Sequence, residues 1–142
     1  MRALLDVNVL VALADPDHAF HDRAHTWLQS GRPVATCPLT ENGLVRVISN
    51  PNYSKTMQFH PKQIVDILAA FAARQDHEFW PDDISMRDPA VVDPTRILGA
   101  RQVTDIYLLA LAVAHHGCLA TFGETVNRAA VPKARPDHLC VI

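Results

Sequence analysis

Three carboxylates, Asp6, Glu41 and Asp105, occupy positions from which they could act on one substrate. Asp6 closes the apolar run Arg2 to Leu5 in MRALLDVNVLVALA, where a short buried strand would hand the chain to a helix. Glu41 falls in the first turn of the helix expected after the apolar run Val34 to Cys37, and Asp105 opens the apolar segment Ile106 to His116. In a parallel sheet such junctions can converge at one rim, where open α/β folds gather their ligands. Carboxylates brought together there repel and raise one another's pKa, a conflict that a divalent cation removes. All-oxygen ligands favour Mg2+ or Mn2+ over zinc, and such ions keep several waters and bind phosphate oxygens. The chemistry implied is phosphodiester hydrolysis by a metal-activated water, with no side-chain nucleophile. Acids also favour helix N-termini for local reasons, so spacing alone leaves Glu41 and Asp105 equally open to a helix-starting role.

A rival metal pattern is His21-Asp22-Arg23-Ala24-His25, which resembles the HExxH of zinc peptidases. It replaces the Glu base with a shorter Asp and offers no clear third ligand, which makes it the weaker reading. Cys37, Cys118 and Cys140 are odd in number, far apart and without a CxxC pair, as expected of reduced packing thiols in a cytosolic protein.

The elements that must position these groups follow from pattern. Asn8 is expected to cap a helix over Val9 to Ala14, ended by Asp15-Pro16-Asp17. Phe20, Ala24, Trp27 and Leu28 recur at helical spacing until Ser30-Gly31. After the strand Val34 to Cys37, Thr40 is expected to cap a helix reaching Ile48, and Pro61 starts another with Ile64, Ile67, Leu68 and Phe71 on one face. Glu78 to Trp80 reads as a brief strand, Pro81 to Pro94 as loop, and Thr95 to Ala100 as a short helix. Thr104 is expected to cap the nearly all-apolar helix Ile106 to His116, with Gly117 as its C-cap; Cys118 to Phe122 and His138 to Ile142 read as strands. Strands alternating with helices predict an α/β fold, a mostly parallel sheet covered on both faces.

The chain of 142 residues, 49% hydrophobic, fits a single domain, 1–142. Its net charge of -2 provides no general attraction to nucleic acid, so any such contact needs a local basic patch. Asp6 and Asn8 interrupt the N-terminal apolar run and no stretch approaches ~20 apolar residues, so a cytoplasmic protein with no membrane partner is expected.

Together LLDVNVLVAL, CPLTENGLVRVISNP, FWPDD and RQVTDIYLLALAVAHHGCLATF resemble PIN-domain ribonucleases of the VapC toxin type, in order and over nearly the whole chain. The resemblance implies a three-layer α/β/α sandwich and Mg2+- or Mn2+-dependent endoribonuclease activity. It implies a cognate VapB-type antitoxin and a homodimer as well. It assigns Asp6, Glu41 and Asp105 as catalytic metal ligands, with Asn8 and Thr104 as supporting polar groups. In the family the strand ending at Phe122 is followed by Asp; here Thr121-Phe122-Gly123-Glu124 puts glycine in that place and an acid one residue later. Glu124 is therefore a candidate fourth ligand, and an impaired module that binds RNA or antitoxin is the alternative function. Arg46, beyond Glu41 on its helix, Arg101, just before Asp105, and Arg128, Lys133 and Arg135 are candidate RNA phosphate contacts. The outer face of the first helix, with Trp27 and Leu28, is a candidate antitoxin surface.

Overall fold

In the computed structural model, which describes residues 1–142, the alternating apolar pattern becomes five parallel strands with helices on both sides. In chain order these are β1 (Ala3–Leu5), α1 (Val7–Ala14), α2 (His21–Leu28), β2 (Val34–Thr36), α3 (Pro38–Ile48), α4 (Pro61–Ala72), β3 (His77–Phe79), α5 (Val103–Ala114), β4 (Cys118–Thr121) and β5 (Leu139–Val141). The sheet runs β3-β2-β1-β4-β5, and every neighbouring pair is parallel. The chain therefore builds outward from β1 through β2 and β3, then returns to the other side of β1. This reversal makes the carboxyl ends of β1 and β4 the topological switch point, the crevice where such sheets bind ligands.

Successive strand residues face opposite ways, and the core divides accordingly. Leu4, Ala35 and Leu119 pack towards Ile106, Leu108, Leu109 and Leu111 of α5, whereas Ala3, Leu5, Val34 and Ala120 pack towards Val9, Leu10, Leu44 and Ile64 of α1, α3 and α4. Each fully buried Leu or Ile in these layers stabilises the fold by roughly 1.5–3 kcal/mol. The three-layer α/β/α arrangement expected from the sequence is present. No helix is long and apolar enough to cross a membrane.

Several expected caps are displaced. Helix α1 starts at Val7, so Asp6, not Asn8, is its N-cap, and Asn8 is an exposed residue of the first turn. Pro38 occupies the first position of α3, its fixed φ already helical. That start puts Thr40 at the third position, where its hydroxyl accepts from the Cys37 N–H at 3.0 Å and donates to the Cys37 carbonyl at 3.1 Å. A 3-10 turn, Ala100–Gln102, runs directly into α5, so Gln102 takes the cap position expected of Thr104. Thr95 to Ala100 is not one helix: 3-10 turns at Pro94–Arg96 and Ala100–Gln102 leave it in two pieces. β3 begins one residue before the expected strand, at His77, and stops short of Trp80.

At the end of α5 it is His116, at φ 57°, that enters the left-handed region. Gly117 serves a different need, because a Cβ there would lie 2.5 Å from the Arg2 carbonyl oxygen and 2.6 Å from the Trp80 ring. All three cysteines are free, Cys37 and Cys118 buried and Cys140 half-buried. Burial pushes the Cys37 and Cys118 thiols up, which keeps them protonated and inert.

Candidate active site

The centre of the rim is built on Asp6, only 6% exposed where β1 turns into α1. Its Oδ1 accepts the Val7 N–H at 2.7 Å and its Oδ2 accepts the Thr121 hydroxyl at 2.9 Å. Thr121 is placed by register, since Leu5 pairs with Ala120 and the next residue of each strand is brought alongside. The same hydroxyl oxygen accepts the Gly123 N–H at 3.0 Å, which fixes the chain leaving β4. Both carboxylate oxygens are thus oriented while the group stays largely out of water.

Burial raises the Asp6 pKa against the lowering effect of those two hydrogen bonds. Asp105, third residue of α5 and half-buried, is raised first by burial and then by the charge of Asp6. These two acids therefore lie within electrostatic reach across the switch point. A buried carboxylate oriented by a hydroxyl and a backbone amide, whose charge disfavours ionisation of a second carboxylate, Asp105, forms with it a donor set that suits a hard divalent cation. No group of three or more His, Cys, Asp or Glu side chains is gathered as a finished metal cage.

Glu41 is held elsewhere on the rim. Its Oε1 accepts the hydroxyl of Thr36, the last residue of β2, at 2.7 Å, and the Thr36 oxygen lies 2.8 Å from His77 Nε2. With its proton given to Glu41, Thr36 accepts from the Nε2–H tautomer of His77. Burial lowers the His77 pKa, opposed by the charge of Glu41.

A cleft of about 450 Å3 runs past these elements, lined by Val7, Leu39, Asn42, Arg46, Asp82 and Thr104 among others. Arg46 and Thr104 therefore share one cleft, although both belong to exposed helix faces. Asp82, from the FWPDD stretch, accepts the Leu39 N–H at 3.2 Å and so ties down the start of α3. Asn8, Arg101, Glu124 and Arg128 are exposed, and Arg135 is paired with Asp137 at 3.2 Å. In the rival zinc pattern the rings of His21 and His25 lie 4.3 Å apart, but His21 Nδ1 is engaged with the Ala12 carbonyl at 2.7 Å.

The PIN domain family profile matches residues 3–132. Across its full length the chain is 46% identical to ribonuclease VapC44 of Mycobacterium tuberculosis, covering all of both proteins. The chain belongs to the VapC family of PIN-domain proteins. It is also 42% identical to ribonuclease VapC29 of the same organism over 85% of each chain. Among solved structures, the fold of this VapC-family chain matches VapC20 of Mycobacterium tuberculosis, described as a sarcin-ricin-loop-cleaving toxin, with TM-score 0.61 at 13% identity over 94% of this chain and 99% of that one. It matches a chain of VapBC2 from Rickettsia felis, solved bound to promoter DNA, with TM-score 0.56 at 16% identity over 100% of this chain and 98% of that one.

Thr36 and His77 belong to no motif that the sequence singles out, and Thr121, though inside one, is given no role by the sequence. Thr36 and Thr121 are hydroxyls that close parallel strands next to an acid, and His77 reaches Thr36 from the start of the neighbouring β3; these neighbours become visible only with strand register.

Proposed function

We propose that this VapC-family protein is the toxin of a VapBC-type pair, an endoribonuclease that hydrolyses RNA phosphodiester bonds with Mg2+ or Mn2+. The observation that carries the reading is the Asp6 and Asp105 pair at the β1/β4 switch point, both acids raised and Asp6 anchored by Thr121. Asp6 and Asp105 would hold the cation, with Glu41 and Glu124 as candidate further ligands. When bound, the cation supplies charge neutralisation for the phosphate and a more acidic water for in-line attack.

The chain's own residues do the rest. Thr121 and the Val7 amide keep the Asp6 oxygens in place, so little side-chain freedom is lost on loading. Thr36, itself bonded to His77, holds Glu41 at its own place on the rim. Arg46, with Asn42 and Thr104, lines the cleft along which an RNA strand would lie, and Arg101 and Arg128 are candidate phosphate contacts nearer the solvent. Asn8 stays a supporting candidate at the first turn of α1.

An apolar groove lined by Leu10, Leu13, Leu28, Ile67 and Phe71 suits an amphipathic helix of a VapB-type antitoxin. A homodimer is the assembly expected of the family, and analytical ultracentrifugation tests it. The impaired-module reading loses ground, because Gly123 leaves the acid pair intact. Cleavage of total RNA by the purified protein, by Asp6→Asn and by Asp105→Asn, each with magnesium, manganese or EDTA, tests the assignment. Cleavage that requires a divalent ion and is lost in both variants is expected; undiminished cleavage in either variant defeats it.

A further inference from the structure

The FWPDD stretch, Phe79 to Asp83, is fastened to the molecule on both sides of one exposed carboxylate, Asp82. On one side the Trp80 N–H donates to the Thr36 carbonyl at 2.8 Å, and its indole, buried, stacks on the His115 ring at 4.7 Å and 12°. On the other side Asp83 Oδ1 lies 2.8 Å from Nε2 of the same His115, the residue that closes α5. Pro81 fixes its own φ between them, so the backbone carrying Asp82 is held although the side chain faces water.

Asp82 itself reaches two helices. Its Oδ2 accepts the N–H of Leu39, second residue of α3, at 3.2 Å, one of the amides that a helix start leaves unpaired. Cys37, at the cap of α3, has no side-chain oxygen to offer, so the anion at that end comes from the FWPDD stretch. Opposite stands α5: Thr104 lines the same cleft as Asp82 and Leu39, and Tyr107, three residues on, shares its side of the helix. Burial, and then the Asp82 carboxylate facing its hydroxyl, push the Tyr107 pKa up. Glu41 comes two residues after Leu39 and Asp105 directly after Thr104, so the helices that Asp82 joins are the ones that carry these acids.

Resting on the ribonuclease reading above, we propose that Asp82 is a positioning residue: it ties the first turn of α3 to the cleft-lining face of α5 and so sets the spacing between the helices that present Glu41 and Asp105 to RNA. It acts through those helices and not on the phosphate. Its negative charge in the cleft works against RNA binding, which separates the two effects: losing the contact lowers turnover, and losing the charge strengthens binding.

The test uses the full chain, with Asp82→Ala removing acceptor and charge and Asp82→Asn removing the charge while keeping an acceptor oxygen. Cleavage of one RNA in saturating magnesium chloride is expected to show kcat about 10- to 100-fold lower in Asp82→Ala and close to the parent's in Asp82→Asn, with KM lowered in both. In EDTA and without RNA, amide exchange over residues 38–42 should be roughly 2- to 30-fold faster in Asp82→Ala and parent-like in Asp82→Asn. Tyr107→Phe keeps the ring and cuts the other end; it should lower kcat, and combined with Asp82→Ala it should be no slower than Asp82→Ala alone. Equal kcat loss in Asp82→Asn and Asp82→Ala assigns the effect to charge, and a shifted magnesium midpoint in both assigns Asp82 as a metal ligand; either overturns the positioning role. A parent-like kcat or parent-like exchange in Asp82→Ala overturns it too, as do losses that multiply in the double variant. If the parent cleaves no RNA with magnesium or manganese, the ribonuclease reading fails and takes this role with it; a cleaving parent with any of the contrary outcomes removes the role of Asp82 alone.

Discussion

Gly123→Asp tests the metal site through a position where the backbone admits the change. Gly123 lies outside the left-handed region, and a Cβ built there meets only the Thr121 hydroxyl oxygen at 3.4 Å and a Val126 methyl at 3.9 Å, both ordinary contacts. That hydroxyl is 2.9 Å from Asp6 Oδ2, so the new carboxylate would lie roughly 5–6 Å from Asp6. At an effective dielectric of about 20 the two charges repel by about 3 kcal/mol, and exposure of Gly123 reduces this to roughly 1 kcal/mol. In EDTA the variant should therefore melt about 2–4 °C below the parent. A divalent cation reverses the sign, because an added ligand worth ~1.4 kcal/mol tightens binding about tenfold. Calorimetric melting in EDTA and in magnesium chloride, together with cleavage of one RNA across magnesium and manganese titrations, reads both halves. The metal concentration for half-maximal cleavage should fall about tenfold in the variant. Identical melting shifts and identical titration midpoints for the two proteins would refute the placement of the cation beside Asp6.

Further expectations concern the neighbours. Thr121→Val removes the hydroxyl that orients Asp6 and should lower metal affinity by about 10- to 100-fold, measured by isothermal titration, with the fold kept. Asp6 and Asp105 are both raised above the ordinary value of 3.8, so the stability of the metal-free fold that depends on their protonation is full below that pH and is lost as pH rises through the folded-state values. The melting temperature of Asp105→Asn relative to the parent in EDTA should accordingly climb as pH rises from 4 to 7, a gap that magnesium narrows; a gap independent of pH would contradict the raised Asp105 pKa that burial and the Asp6 charge produce. Gly117→Ala forces a methyl against the Arg2 carbonyl and Trp80, and chemical denaturation should show a loss of about 1–3 kcal/mol with cleavage chemistry otherwise intact.

Periodicity was a sound guide to elements because it reflects burial. α5 is apolar nearly all round and lies in the core, and β1 and β4 are short apolar runs at the sheet centre. Caps were less legible, because the residue that caps a helix depends on where the preceding turn delivers the chain. Pro38 moved the start of α3 ahead of Thr40, and the turn at Ala100–Gln102 moved that of α5 ahead of Thr104. Asp6 met both descriptions, capping α1 and lining the rim.

The sequence by itself determined the layered α/β architecture and the candidate acids, since apolar spacing and residue type are local properties of the chain. Which acids share a field was decided by tertiary structure: strand order placed β4 beside β1, and register set Thr121 against Asp6 while Thr36, bonded to His77, engaged Glu41. Coulomb forces and hydrogen bonds act over a few ångströms in space, and distance along the chain does not report that separation.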